Sequence, residues 1–119
     1  MAEHNELGKR GEEIATEFLR GNGYEILEMN YVFQKAEIDI LARKDQVLAV
    51  VEVKTRSSTG FGLPQDFVNP KKIRLLVKAV NEFVLQRDLD LEVRFDIIAI
   101  HKQNETFVVE HLVDAFYHF

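Results

Sequence analysis

The sequence predicts a single α/β domain: a mixed sheet of about five strands flanked by helices, in the chain order α-β-β-β-α-β-β. Three observations carry this. Two stretches repeat apolar residues at helical spacing, and about five others alternate or run apolar over strand lengths. The second helical stretch also separates two strand-like runs, as a parallel pair with a right-handed crossover requires. A chain of 119 residues, 46% hydrophobic and 29% charged, suffices for one core, so residues 1–119 are read as one domain.

Residues 1–6 read as a loose polar start. From Leu7 to about Arg20, the residues Leu7, Gly11, Ile14, Ala15, Phe18 and Leu19 recur at helical spacing, and Gly21-Asn22-Gly23 ends the helix. Glu12 aligns with Ala15 and Leu19 at the border of the buried face, whereas Glu13 aligns with Glu17 and Arg20 toward solvent. Geometry therefore selects Glu12 for a role in a site. The plainer alternative is a first-turn acid that favours the helix dipole.

Residues 24–33 are rich in aromatic and β-branched types and read as a strand, untidy at Glu25 and Asn30. Residues 36–42 alternate cleanly, with Ala36, Ile38, Ile40 and Ala42 on one face and Glu37, Asp39 and Leu41 on the other. Lys44-Asp45 turns this strand into the next, so the two form a hairpin, with Asp39 near Val50 and one diagonal step from Glu52.

The run over residues 47–56, Val-Leu-Ala-Val-Val-Glu-Val-Lys-Thr-Arg, organises the chain. Leu48, Val50, Glu52, Lys54 and Arg56 share one face, and Val47, Ala49, Val51, Val53 and Thr55 the other. The strand is apolar on both sides until Glu52, where a carboxylate and then an ammonium leave a low-dielectric wall and need compensation. Residues 57–68, with Gly60-Phe61-Gly62 and Pro64, read as a loop beside that end and lack a P-loop's lysine.

Asn69-Pro70 is an N-cap followed by proline at the first helical position. The helix runs to about Arg87 with a core stripe of Ile73, Leu76, Val77, Val80, Phe83 and Val84, and with Lys71, Arg74 and Lys78 on another face. Residues 91–100 form a strand with Arg94, Asp96 and Ile98 on one side, and residues 106–112 an edge strand. Phe116, Tyr117 and Phe119 read as an aromatic tail packed outside.

Charge is uneven. The formal net charge is -5, yet residues 53–80 carry 6 basic and 1 acidic side chains, giving +5. A local basic stretch that starts where the central strand ends suits a nucleic-acid groove, and its bland counterpart is a solvated helix face. The absence of cysteine excludes disulfides, thiol catalysis and cysteine-ligated metals, and fits a reducing compartment. No basic-then-apolar leader or long apolar run is visible, so neither signal peptide nor membrane span is expected and the cytoplasm is the expected location. The histidines His4, His101, His111 and His118 lack ligand spacing and read as surface or edge residues.

Hard divalent ions such as Mg²⁺ take oxygen ligands, so two carboxylates on adjacent strands plus a main-chain carbonyl suffice, and Asp39 and Glu52 fit. Lys54, two residues beyond Glu52, would orient a water and offset charge on a phosphate. Glu12 could hold a water or a second ion. Asp96 could reach the site if its strand neighbours the central one, although Arg94 and Asp96 could equally pair with neighbours. Glu-Val-Lys alone is weak evidence, since cross-strand ion pairs make it common.

Gly8-x-x-Gly11-Glu12 with Ala15, Gly23-Tyr24, Glu37-Ile38-Asp39 with Ala42, Val51 through Arg56, Lys71 and Arg94-Phe95-Asp96 resemble, in order, the YraN-like uncharacterised protein family. That family is similar to Holliday junction resolvases, within the PD-(D/E)XK nuclease superfamily. The resemblance spans roughly residues 7–100. It implies a three-layer restriction-endonuclease-like core and Mg²⁺ or Mn²⁺ bound by Asp39, Glu52 and the Val53 carbonyl. It further implies a catalytic Lys54, an assisting acid at Glu12 and nucleic-acid contact near Lys71, with DNA as the expected partner; Arg56, Arg74 and Lys78 extend that basic contact. It leaves a homodimer open by analogy. Ala36 departs from the family's usual glycine before Glu-Ile-Asp, which puts a glycine-dependent bend in doubt. A non-catalytic nucleic-acid-binding or adaptor module, and a structural protein whose charged strand ends merely pair, are the competing readings.

Overall fold

The computed structural model describes residues 2–57 and 69–115, with side chains from Glu6 onward. Its elements are α1 (Ala2–Gly21), β1 (Glu25–Phe33), β2 (Ala36–Lys44), β3 (Val47–Arg56), α2 (Pro70–Arg87), β4 (Glu92–Gln103) and β5 (Thr106–Leu112), in the expected order. The strands form one open sheet ordered β1-β2-β3-β4-β5. Only β3 and β4 are parallel, joined through α2, and the other neighbours are antiparallel.

Each face of the sheet carries one helix. On one side Ala15 and Leu19 of α1 pack with Ala49 and Val51 of β3 and Ile98 and Ile100 of β4. On the other, Ile73, Leu76, Val80 and Phe83 of α2 pack with Leu48, Val50 and Ile97. β3 is thus buried on both faces as its sequence requires, and Glu52 and Lys54 continue the α2-side row. Asn69 caps α2 through the Lys72 amide, which donates to its side chain at 2.8 Å.

Three expectations are corrected. α1 begins at Ala2 instead of Leu7, because alanine and glutamate extend a helix without needing an apolar stripe. In α2, Ala79 is buried and Val77 is 37% exposed, so the stripe lies slightly round from the expected line. The third concerns β2, whose even-numbered residues do not share a face. Ala36 and Ile38 join the α2-side core, whereas Ile40 and Ala42 join the α1-side core. The strand turns over at Asp39, and its neighbour turns with it: Tyr31 lies on the α2 side and Met29 on the α1 side, with Asn30 between them in the left-handed region at φ 52. The β1–β2 register also shifts between Ile26 and Glu28.

No helix among the described residues is long and apolar enough to cross a membrane. Of the expected loop over residues 57–68 only Ser57 is described, and the aromatic tail of Phe116, Tyr117 and Phe119 lies outside the described residues.

α1 reaches β3 through Gly11. A methyl group there would overlap Thr55 Oγ1 and lie 3.0 Å from Thr55 Cβ. Thr55 is β-branched and cannot simply rotate aside. Gly11→Ala is expected to destabilise the fold by about 1–3 kcal/mol from overpacking, despite alanine's better helix propensity. Adding Thr55→Ala should recover much of the loss in thermal unfolding; a Gly11→Ala variant as stable as the parent would contradict the close approach.

Candidate active site

The site forms where β2 leaves β3. Their ladder ends at the Ile40–Val51 pair, and beyond it the turned-over β2 offers a side chain in place of its backbone. Asp39 Oδ2 accepts from the Val53 amide at 2.8 Å. Burial, then the nearby charge of Glu52, push the Asp39 carboxyl up to about 7, against the lowering effect of the Val53 N–H. Asp39 is thus held where its charge is unfavourable.

Glu52 is only 7% exposed. Its Oε1 accepts from Lys72 Nζ at 2.6 Å and lies 3.7 Å from Lys54 Nζ, so two ammonium groups converge on one oxygen. From α1, Glu12 stands at the lip. Burial raises its carboxyl above the ordinary range, a hydrogen bond from Asn30 opposes this, and the charges of Glu37 and Glu52 add to it.

These groups line a polar cleft of ≈ 300 Å³ formed by Leu7, Gly8, Glu12, Asp39, Glu52, Val53, Lys54, Thr55 and Arg56. The structure therefore brings Glu12, Asp39, Glu52, Val53, Lys54 and Arg56 together. Lys71, Arg74 and Lys78 are exposed on α2 and do not line the cleft. Sequence spacing missed Lys72, one residue from Lys71 and turned toward Glu52. A detectable signal existed: the first turn of α2 carries no acid, and cations there oppose the helix dipole.

Asp96 does not join the site. β4 does neighbour β3, but Asp96 lies in the row of Ile98 and Ile100, on the α1 side, away from the Glu52 row. There Arg94 donates to both its oxygens at 2.9 and 2.8 Å, the Asp114 amide donates at 2.9 Å, and His111 Nε2 lies 2.9 Å away. Arg94 also donates to the Tyr24 hydroxyl at 2.6 Å. His111, expected at the surface or edge, sits on the edge strand with its ring in edge contact with Phe18 of α1 and with Tyr24.

The cleft's donors suit a hard cation. Asp39 and Glu52 bring two carboxylates to the cleft that Val53 also lines, and a divalent ion there would offset the burial and the Glu52 charge that raise Asp39. Among the described residues no three His, Asp or Glu side chains are gathered closely enough to hold an ion by themselves.

Residues 11–100 match the sequence model of the uncharacterised protein family UPF0102. The chain is similar to the UPF0102 protein of Flavobacterium psychrophilum, 66% identical over the whole of both chains. It is also similar to the UPF0102 proteins of Christiangramia forsetii, 60% identical over the whole of both, and Phocaeicola vulgatus, 45% identical over 98% of this chain and 97% of that one.

Proposed function

The chain belongs to the uncharacterised protein family UPF0102, and from that premise we propose that it is a Mg²⁺- or Mn²⁺-dependent endonuclease hydrolysing phosphodiester bonds in DNA, branched or damaged DNA included. The supporting observation is the single cleft into which Glu12, Asp39, Glu52, Val53, Lys54 and Arg56 all open. Asp39, Glu52 and the Val53 carbonyl would hold the cation, with Glu12 holding a water or a second ion beside them. When bound, the ion would supply Lewis acidity toward a phosphate oxygen and an attacking water. Lys54 would orient that water and offset the negative charge that builds on the phosphorus oxygens. Arg56, Lys71, Arg74 and Lys78 would meet backbone phosphates, which makes binding weaken steeply with salt. The protein would act in the cytoplasm, and a homodimer would present one cleft to each strand of a duplex.

The second reading, a nucleic-acid-binding module without turnover, is favoured by one observation: Lys72 already satisfies Glu52 at 2.6 Å. The two separate on a panel of four-way junction, flap, linear duplex and single-stranded DNA, and RNA, each with Mg²⁺, Mn²⁺ or chelator. A chelator-sensitive DNA product is expected. Salt-sensitive binding with no product from any substrate would leave the second reading.

A further inference from the structure

We propose that Lys72 is a tethered counter-ion: it holds Glu52 while the cleft lacks its divalent cation, and a nucleic-acid phosphate draws it away, so that cation and phosphate load the cleft together. This rests on the metal-dependent reading of the same cleft.

Lys72 Nζ at 2.6 Å and Lys54 Nζ at 3.7 Å both sit on Glu52 Oε1. A divalent ion on that carboxylate would lie within a few ångströms of the Lys72 ammonium, and like charges at such range in a partly dry cleft repel strongly. One of them must give way. Lys72 is the one placed to do so, because its side chain is 33% exposed and a lysine's four-carbon stem has several rotatable bonds. Its place in the first turn of α2 opposes the helix dipole, so the helix itself gains nothing from it.

The cleft also explains where the ammonium goes. Glu12, Asp39 and Glu52 would repel a polyanion, and Lys54, Arg56 and Lys72 balance them. A phosphate entering beside Lys54 and Arg56 gives Lys72 a new anionic partner just as Glu52 passes to the cation. Binding of either ligand then strengthens the other by the same factor.

The test is Mn²⁺ affinity by calorimetry, with and without a single-stranded phosphorothioate oligonucleotide whose linkages keep their charge and resist cleavage. Lys72→Met is expected to tighten Mn²⁺ alone about fivefold, the upper scale of one partly exposed ion pair. The further tightening by oligonucleotide should shrink by a similar factor, while Lys102→Met, at an exposed position on β4, leaves Mn²⁺ affinity unchanged. If Lys72→Met does not fold, Lys72→Gln removes the same charge and should give the same gain. Unchanged or weaker Mn²⁺ binding by a folded neutral variant, with measurable binding by the parent, overturns the counter-ion and leaves the metal reading standing. No Mn²⁺ binding by parent or variant removes both.

Discussion

Asp39→Asn is expected to reduce metal-dependent cleavage by about a thousandfold or more and, in the same variant, to raise the melting temperature of the metal-free protein above pH 7. Both effects come from one carboxylate. Burial and the charge of Glu52 lift its pKa from 3.8 to about 7. A folded-state value above the unfolded one means that the folded protein binds the proton more tightly. The associated stability is full below about pH 4 and is lost as pH rises through 7. Asparagine keeps the size and an oxygen for the Val53 amide but never carries the charge. The variant should match the parent near pH 4 and exceed it at pH 8 by up to about 4 kcal/mol, about 10–20 °C. Lys54→Ala should also abolish cutting, yet leave Mn²⁺ binding in place. Robust cleavage by both purified variants would refute the assignment, and an Asp39→Asn protein less stable at pH 8 would refute the electrostatic account.

Asp96→Ala is expected to cost about 3–5 kcal/mol of stability. Asp96 is fully buried, and four contacts converge on it from Arg94, His111 and the Asp114 amide. Burial alone would raise its pKa, but His111, Arg94 and the Asp114 N–H outweigh it and hold the carboxyl below the ordinary range. Asp96 in turn raises Arg94 further above its usual value. A depressed carboxylate stabilises above its unfolded pKa of 3.8 and loses that contribution as pH falls through the folded value, so variant and parent should converge in acid. Chemical denaturation across pH measures this. Pairing Asp96→Ala with Arg94→Met should recover part of the loss by removing the stranded guanidinium.

How far the sequence alone reached follows from which signals are periodic. β3, with its two apolar faces ending at Glu52, and the Asn69-Pro70 start of α2 were legible because burial and capping write themselves into residue type. So was the nearness of Asp39 to Glu52, although the tight turn sets Leu41 against Val50 and carries Asp39 past the ladder's last pair. The turning-over of β2 was not legible. It accompanies a left-handed backbone at Asn30 in the neighbouring strand, which alternation within residues 36–42 does not encode. Lys72 was missed because the i, i+3, i+7 pattern of Lys71, Arg74 and Lys78 traces the solvent side, and a one-residue step on a helix turns the side chain about 100°. His111 gave no spacing signal, since its burial comes from Phe18 and Tyr24, far away in sequence.

The inversion of β2 at Asp39 has a mechanical consequence. One strand belongs to both hydrophobic layers, entering with the α2 layer and leaving with the α1 layer, and the crossover point is the acid in the cleft. A ligand gripping that acid would hold a rivet common to both layers, and occupancy of the cleft would then stiffen both at once.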